Sequence, residues 1–225
     1  MPRCLRIIAV CSTGTVLMTA LPAGSVVHAA DTVGNYTENL VIGMQAGGHP
    51  WRLDKTYNEP NNTMMEWVPQ GETGQNWSEM ITSITFKNHP EANTANMIAG
   101  IVRNFRSICA KVDILDSSSK VETDELRKHE GLPASYQTVS VLLRCDDPKP
   151  SPNPAVTVKK HEVLWLKGIQ GWLTAYLVQR AWHSNEVSPD SILASDKTRN
   201  EWREWGDRVQ ISGIPDEKLP RKAPN

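Results

Sequence analysis

The chain has 225 residues, 24 basic and 25 acidic, a formal charge of −1, and 39% hydrophobic residues. That is enough apolar material for one core of ordinary domain size. The balanced charge, with no polybasic run, argues against capture of nucleic acid or an anionic membrane surface.

Residues 1–29 differ from the rest. Arg3 and Arg6 give a positive start, residues 7–21 carry no charge, Pro22 and Gly24 break any helix, and Val27-His28-Ala29 ends the segment. Positive, apolar and small-residue regions in that order form a secretory signal, with cleavage expected after Ala29. The apolar run is short of the roughly 20 residues that span a bilayer; the alternative is an uncleaved anchor. Losing Arg3 and Arg6 takes the formal charge from −1 to −3. The expected location is the periplasm or the medium.

Of four cysteines, Cys4 and Cys11 leave with the signal, and Cys109 and Cys145 remain. Their spacing fits no CxxC redox, haem or four-cysteine zinc motif. In an oxidising compartment a Cys109–Cys145 disulfide is expected; the alternative is two free buried thiols.

Along the mature chain a first strand is expected near residues 39–44 and a second at 63–69. Residues 76–87 alternate, with Met80, Thr82, Ile84 and Phe86 opposite Ile81, Ser83, Thr85 and Lys87. Period two predicts a strand with one buried face. Residues 90–110 predict a helix, with Pro90 in its first turn and an apolar stripe from Met97 to Cys109. A short strand at 111–116, a helical turn near 123–128 and a strand at 136–145 follow. Cys145 ends the strand's apolar face as Cys109 ends the helix's stripe, so packing one on the other brings the sulfurs together.

Residues 146–155 carry prolines at alternate positions and predict an extended surface loop. Asp146-Asp147 reads as the cap of a strand end. Strands at 158–168 and 172–183 flank Gly168-Ile169-Gln170-Gly171, a hairpin signal. A last helix is expected at 196–210 with Ser195 as N-cap. The order gives an α+β fold: an antiparallel sheet packed against two main helices, tied by one disulfide. Residues 30–212 read as one domain and 213–225 as a disordered tail.

No motif for catalysis, a cofactor or a metal stands out. His161-Glu162 does not continue as HExxH, and Met64, Met65 and Met80 lack copper-site spacing and read as core. In the last strand Tyr176, Val178, Arg180 and Trp182 share one face, while Ala175, Leu177 and Ala181 share the other. Small residues suit a helix-packed side, which leaves Tyr176, Arg180 and Trp182 as candidate partner-binding residues. The alternative is that Trp165 and Trp182 are covered by the C-terminal helix with Trp202 and Trp205.

Two segments, Gln75-Asn76-Trp77-Ser78-Glu79-Met80 and Gln179-Arg180-Ala181-Trp182, resemble stretches of a group of exported bacterial proteins of unknown function. The element order also resembles the PsbP-like fold. The resemblance implies a non-catalytic accessory or binding role and assigns no active-site residue. The expected function is an exported accessory domain with an envelope-protein partner. The other class considered is a small periplasmic hydrolase, which requires a histidine, an acid and a nucleophile converging in a cleft.

Overall fold

The computed structural model describes residues 31–33, 36–87, 93–123, 128, 135–151, 158–171 and 174–215. Residues 1–29, expected to be a signal, Pro90, the proline positions at 152 and 154 and the chain after Pro215 lie outside them. The elements are β1 (Asp31–Val33), β2 (Tyr36–Val41), a short 3-10 turn (Ala46–Gly48), β3 (Trp51–Glu59), β4 (Asn62–Pro69), β5 (Glu79–Phe86), α1 (Thr94–Ile108), β6 (Cys109–Thr123), β7 (Ser135–Pro148), β8 (His161–Gln170), β9 (Ala175–Ser184), α2 (Asp196–Asp207) and β10 (Gln210–Pro215).

Seven strands form one antiparallel sheet in the order β3-β4-β5-β9-β8-β7-β6, and β1, β2 and β10 form a second, smaller one. With two helices and a disulfide, the fold is broadly α+β, although strands dominate. α1 covers one face of the large sheet, where Ile98, Ile101 and Phe105 meet Leu143, Leu164 and Leu177. On the other face Trp202 and Trp205 of α2, with Leu40 and Ile211 from the small sheet, meet Trp165, Tyr176 and Val178.

Because both faces are covered, β5 does not have the single buried face its alternation predicts. Met80 and Ile84 enter the α1 core, and Ile81, Ser83 and Thr85 are buried too. Serine and threonine are small enough to pack under cover, so polarity by itself misreads the second face.

Five strands rather than three precede α1. β3 escapes a sequence reading because it is an edge strand, half polar, with its alternation broken by a register shift between Leu53 and Lys55. α1 starts later than predicted: Asn93 is its N-cap, accepting the Asn96 amide at 2.9 Å. β6 runs from Cys109 to Thr123, far beyond 111–116, and takes in the start of the expected helical turn. β7 continues through Asp146 to Pro148, so the proline loop starts later and Asp146 lies inside a strand.

β8 runs to Gln170, so Gly168–Gln170 of the expected turn lie in strand, and the Gly171 amide donates to the Thr174 carbonyl at 3.0 Å just before β9. Gly168 lies within β8 for a packing reason: a Cβ there would stand 2.7 Å from the Thr94 Cβ at the start of α1. Ser195 caps α2 as expected, its hydroxyl accepting the Thr198 amide at 3.2 Å. The helix ends at Asp207. Lys167 closes that end, donating to Val209 O at 2.7 Å and to Glu122 at 3.0 Å. The chain then turns into β10, which pairs with β2, so Gly213–Pro215 are strand and not tail.

Cys109 and Cys145 are bonded. Cys109 is the C-cap of α1 and opens β6, and Cys145 lies fully buried on β7. The bond pins the end of the helix to the sheet it covers.

Candidate functional site

The three sequence-predicted partner residues do not form an open face. Tyr176 and Arg180 are buried and Trp182 is half-buried. The Arg180 guanidinium lies 4.3 Å from the Trp202 ring centroid and pairs with Glu79 at 2.9 Å. The cause is α2: its Trp202 and Trp205 need apolar cover, and the large residues of β9 supply it. The small residues Ala175, Leu177 and Ala181 lie toward α1 as expected, so both faces are core. Burial lowers the Arg180 pKa while Glu79 opposes the shift, and an arginine remains charged in either case.

The more open feature lies where β4 turns into β5 and β9 ends. A cleft of about 450 Å3 is lined by, among others, Glu72, Trp77, Lys159, His183, Asn185 and Glu186. One wall is the β4–β5 connection. Gly71 takes φ +94°, which a side chain would oppose. The Glu72 carboxylate accepts the Ser78 amide at 2.6 Å and the Ser78 hydroxyl at 2.7 Å. Asp54 on β3 accepts the Gly74 amide at 2.9 Å, and Arg52 donates to the Glu72 carbonyl at 3.1 Å. These bonds hold the wall in one shape.

The other wall is the end of β9. The His183 ring stacks on the Trp77 indole with centroids 3.8 Å apart and planes 9° from parallel. His183 Nε2 donates to the Trp77 carbonyl, and the His183 amide donates to Ser78 O at 3.1 Å. Donation from Nε2 fixes the tautomer of the neutral ring. Burial pushes the His183 pKa down to about 4, with Lys159 adding to the effect. Asn185 is oriented by accepting the Lys160 amide at 3.2 Å.

Behind this end Glu162 lies opposite His183 on β9 and Cys145 on β7. Directly opposed residues share a face. Glu162 is buried, its Oε1 has no hydrogen-bond partner, and burial pushes its pKa up to about 8. It is therefore a neutral acid at pH 7.

Two opposite pH effects follow. His183 is depressed below its unfolded value, so its contribution is present above about pH 6.5 and is lost as pH falls toward 4. Glu162 is raised, so its contribution is full below about pH 4.5 and is lost as pH rises through 8. They oppose each other between pH 4.5 and 6.5, while above 6.5 Glu162 acts without His183. Urea unfolding is expected to show stability falling by about 2 kcal/mol from pH 6.5 to 8, at about 1.4 kcal/mol per pH unit. Glu162→Gln should abolish that fall; an unchanged slope in the variant would contradict it.

A hydrolase needs an assembled nucleophile. In the cleft the Ser78 hydroxyl donates to Glu72 and His183 Nε2 is held by the Trp77 carbonyl, so the histidine side chain does not bond that hydroxyl. A second row is Asp146, His161 and Ser184, opposed in sequence across β7, β8 and β9. Asp146 bonds His161 Nδ1 at 2.8 Å and Arg144 Nε at 3.0 Å. Those bonds outweigh burial and lower the Asp146 pKa. The row stops there: no hydrogen bond joins His161 to Ser184, whose hydroxyl accepts the Glu186 amide at 3.1 Å. Asp146 thus belongs to an ion-pair network and not to a strand cap. Among the described residues no group of three His, Cys, Asp or Glu side chains is placed to hold a metal ion, and no helix is long and apolar enough to cross a membrane.

No family model matches the chain, and no curated protein matches it.

Sequence reasoning missed Trp77, Glu162 and His183 as a site, yet a signal was present. The segments Gln75–Met80 and Gln179–Trp182 come together: Glu79 lies opposite Trp182, Met80 opposite Ala181 and Ile81 opposite Arg180. The first supplies Trp77 to the cleft and Glu79 to the buried Arg180.

Proposed function

We propose that the chain is an exported, non-catalytic binding domain of the cell envelope, in the periplasm or the medium, and that it receives part of a protein partner in the cleft between the β4–β5 connection and the end of β9. The observation that carries this reading is the cleft's construction. Its walls are fixed by backbone hydrogen bonds, the buried Trp77–His183 stack braces them from beneath, and its rim carries Lys159, Glu72, Glu186 and Asn185. A rigid, mixed-charge rim suits a polar, protruding loop of another protein. Both cysteines in one disulfide suit an oxidising compartment. The resemblance of Gln75–Met80 and Gln179–Trp182 to exported proteins points the same way. A binding role is preferred to hydrolysis because neither Ser184 nor Ser78 is hydrogen-bonded to a histidine side chain: Ser184 accepts the Glu186 amide and Ser78 donates to Glu72.

The test is photo-crosslinking in intact cells from a benzophenone amino acid at position 185. One dominant adduct is expected, reduced by Lys159→Glu, with no such adduct from position 197 on the exposed outer side of α2. Equal adducts from positions 185 and 197, or none from either, would reject the cleft as a docking site.

A further inference from the structure

β6 is an edge strand of fifteen residues, paired among the described residues only with β7. An exposed edge of that length invites another strand, and proteins usually block it with a bulge or charge. β6 has a bulge at Leu115, where its register on β7 shifts between Ile114 and Asp116. It also has charge, but arranged in an unusual way. Pairing with β7 places Lys111, Asp113, Asp116, Ser118, Lys120 and Glu122 on the face toward α2, and Val112, Ile114, Ser117, Ser119 and Val121 on the face toward α1. Ile114 is 51% exposed and Val121 69%, the two most exposed large apolar side chains among the described residues.

Laid antiparallel on itself with the two-fold axis at Ser117, and with Leu115 bulged as it is against β7, the strand is complementary to its own copy. Lys111 then opposes Glu122, Asp113 opposes Lys120, Val112 opposes Val121, and Ile114 opposes Ser119, each pair on a common face. Moving the axis to Asp116 sets two aspartates together and Lys111 against Lys120. Moving it to Ser118 sets Asp113 against Glu122. Of these three central registers only the one at Ser117 avoids like-charge pairs, and it overlaps more of the strand than an axis near either end; opposed like charges are destabilising in a sheet.

We propose that two copies of this chain associate through β6, joining their large sheets into one continuous antiparallel sheet across a two-fold axis at Ser117. The occupant is a second copy because the charge order of the edge matches itself. Within one chain Lys111 pairs with Asp113 at 2.8 Å and Lys120 with Asp207 at 3.0 Å. Both are surface pairs that exchange partners at little cost, whereas Glu122 keeps its bond to the buried Lys167 and takes Lys111 as a second cation. The Ser117 amide, held by Asp116 at 2.9 Å, must exchange its bond for one across the axis.

Sedimentation equilibrium of the exported, oxidised chain at tens of micromolar tests this. The expected mass is twice that of one chain. Lys120→Glu, which sets a glutamate against Asp113 of the other copy, should weaken association by about tenfold or more. Asp113→Lys with Lys120→Glu should restore it, because the pair is then reversed. Ser117→Cys should give a covalent dimer on oxidation, and adding Lys120→Glu should suppress it. A monomer throughout this range, or association that Lys120→Glu leaves unchanged, would overturn the proposal.

Discussion

Replacing Cys145 with serine is expected to lower the unfolding free energy by about 2–5 kcal/mol, the usual loss for a native disulfide. The Cys109–Cys145 bond closes a separation of 36 residues, for which chain entropy alone gives about 3.5–4 kcal/mol. Position matters as well as loop length. Cys145 is fully buried between Leu143 and the α1 core, so serine would also bury a hydroxyl where the site offers apolar contacts. Urea denaturation of both proteins without reductant measures the loss. A change below about 1 kcal/mol, the size of an average point mutation, would show that the bridge does not constrain the fold.

Trp202→Ala is expected to cost about 3–5 kcal/mol, as for a large aromatic removed from a core. Trp202 is 2% exposed and lies under the Arg180 guanidinium. Its loss would open a cavity and strip a buried cation of its aromatic cover, although the Glu79 pair would remain. Trp182→Ala, at a half-buried position, should cost less. Thermal melting compares the two. A Trp202→Ala protein that melts like the parent would mean that α2 does not close this face, and Tyr176, Arg180 and Trp182 would again be candidates for partner contact.

The elements most legible in the sequence were those whose side chains report burial directly. The stripe from Met97 to Phe105 gave α1, Ser195 gave the start of α2, and the opposed apolar faces ending at Cys109 and Cys145 gave the disulfide. Elements at the rim were not legible. β3 and most of β6 are edge strands, where one side meets solvent and polar residues are tolerated, so alternation fades. β10 was hidden because Gly213 and Pro215 read as tail residues, while the pairing that makes it a strand comes from β2, far away in sequence.

The site was misread for a related reason. Tyr176, Arg180 and Trp182 were correctly placed on one face of β9, but alternation shows which residues share a face and not what covers it. Trp202 and Trp205 were visible in the sequence, and the covering of β9 by α2 was a tertiary fact. The cleft depends on His183 meeting Trp77, residues 106 apart, and the opposite pKa shifts of His183 and Glu162 depend on what buries each. Neither can be read from local pattern.

We propose that this chain works as an exported, oxidised domain. The most direct test is the intact mass, with and without thiol alkylation, of protein recovered from the envelope fraction and medium of its own cells. The expected chain begins at Ala30, with Cys109 and Cys145 joined and no thiol left to alkylate. A chain retained in the cytosol, still beginning at Met1 and alkylated at both Cys109 and Cys145, would contradict it.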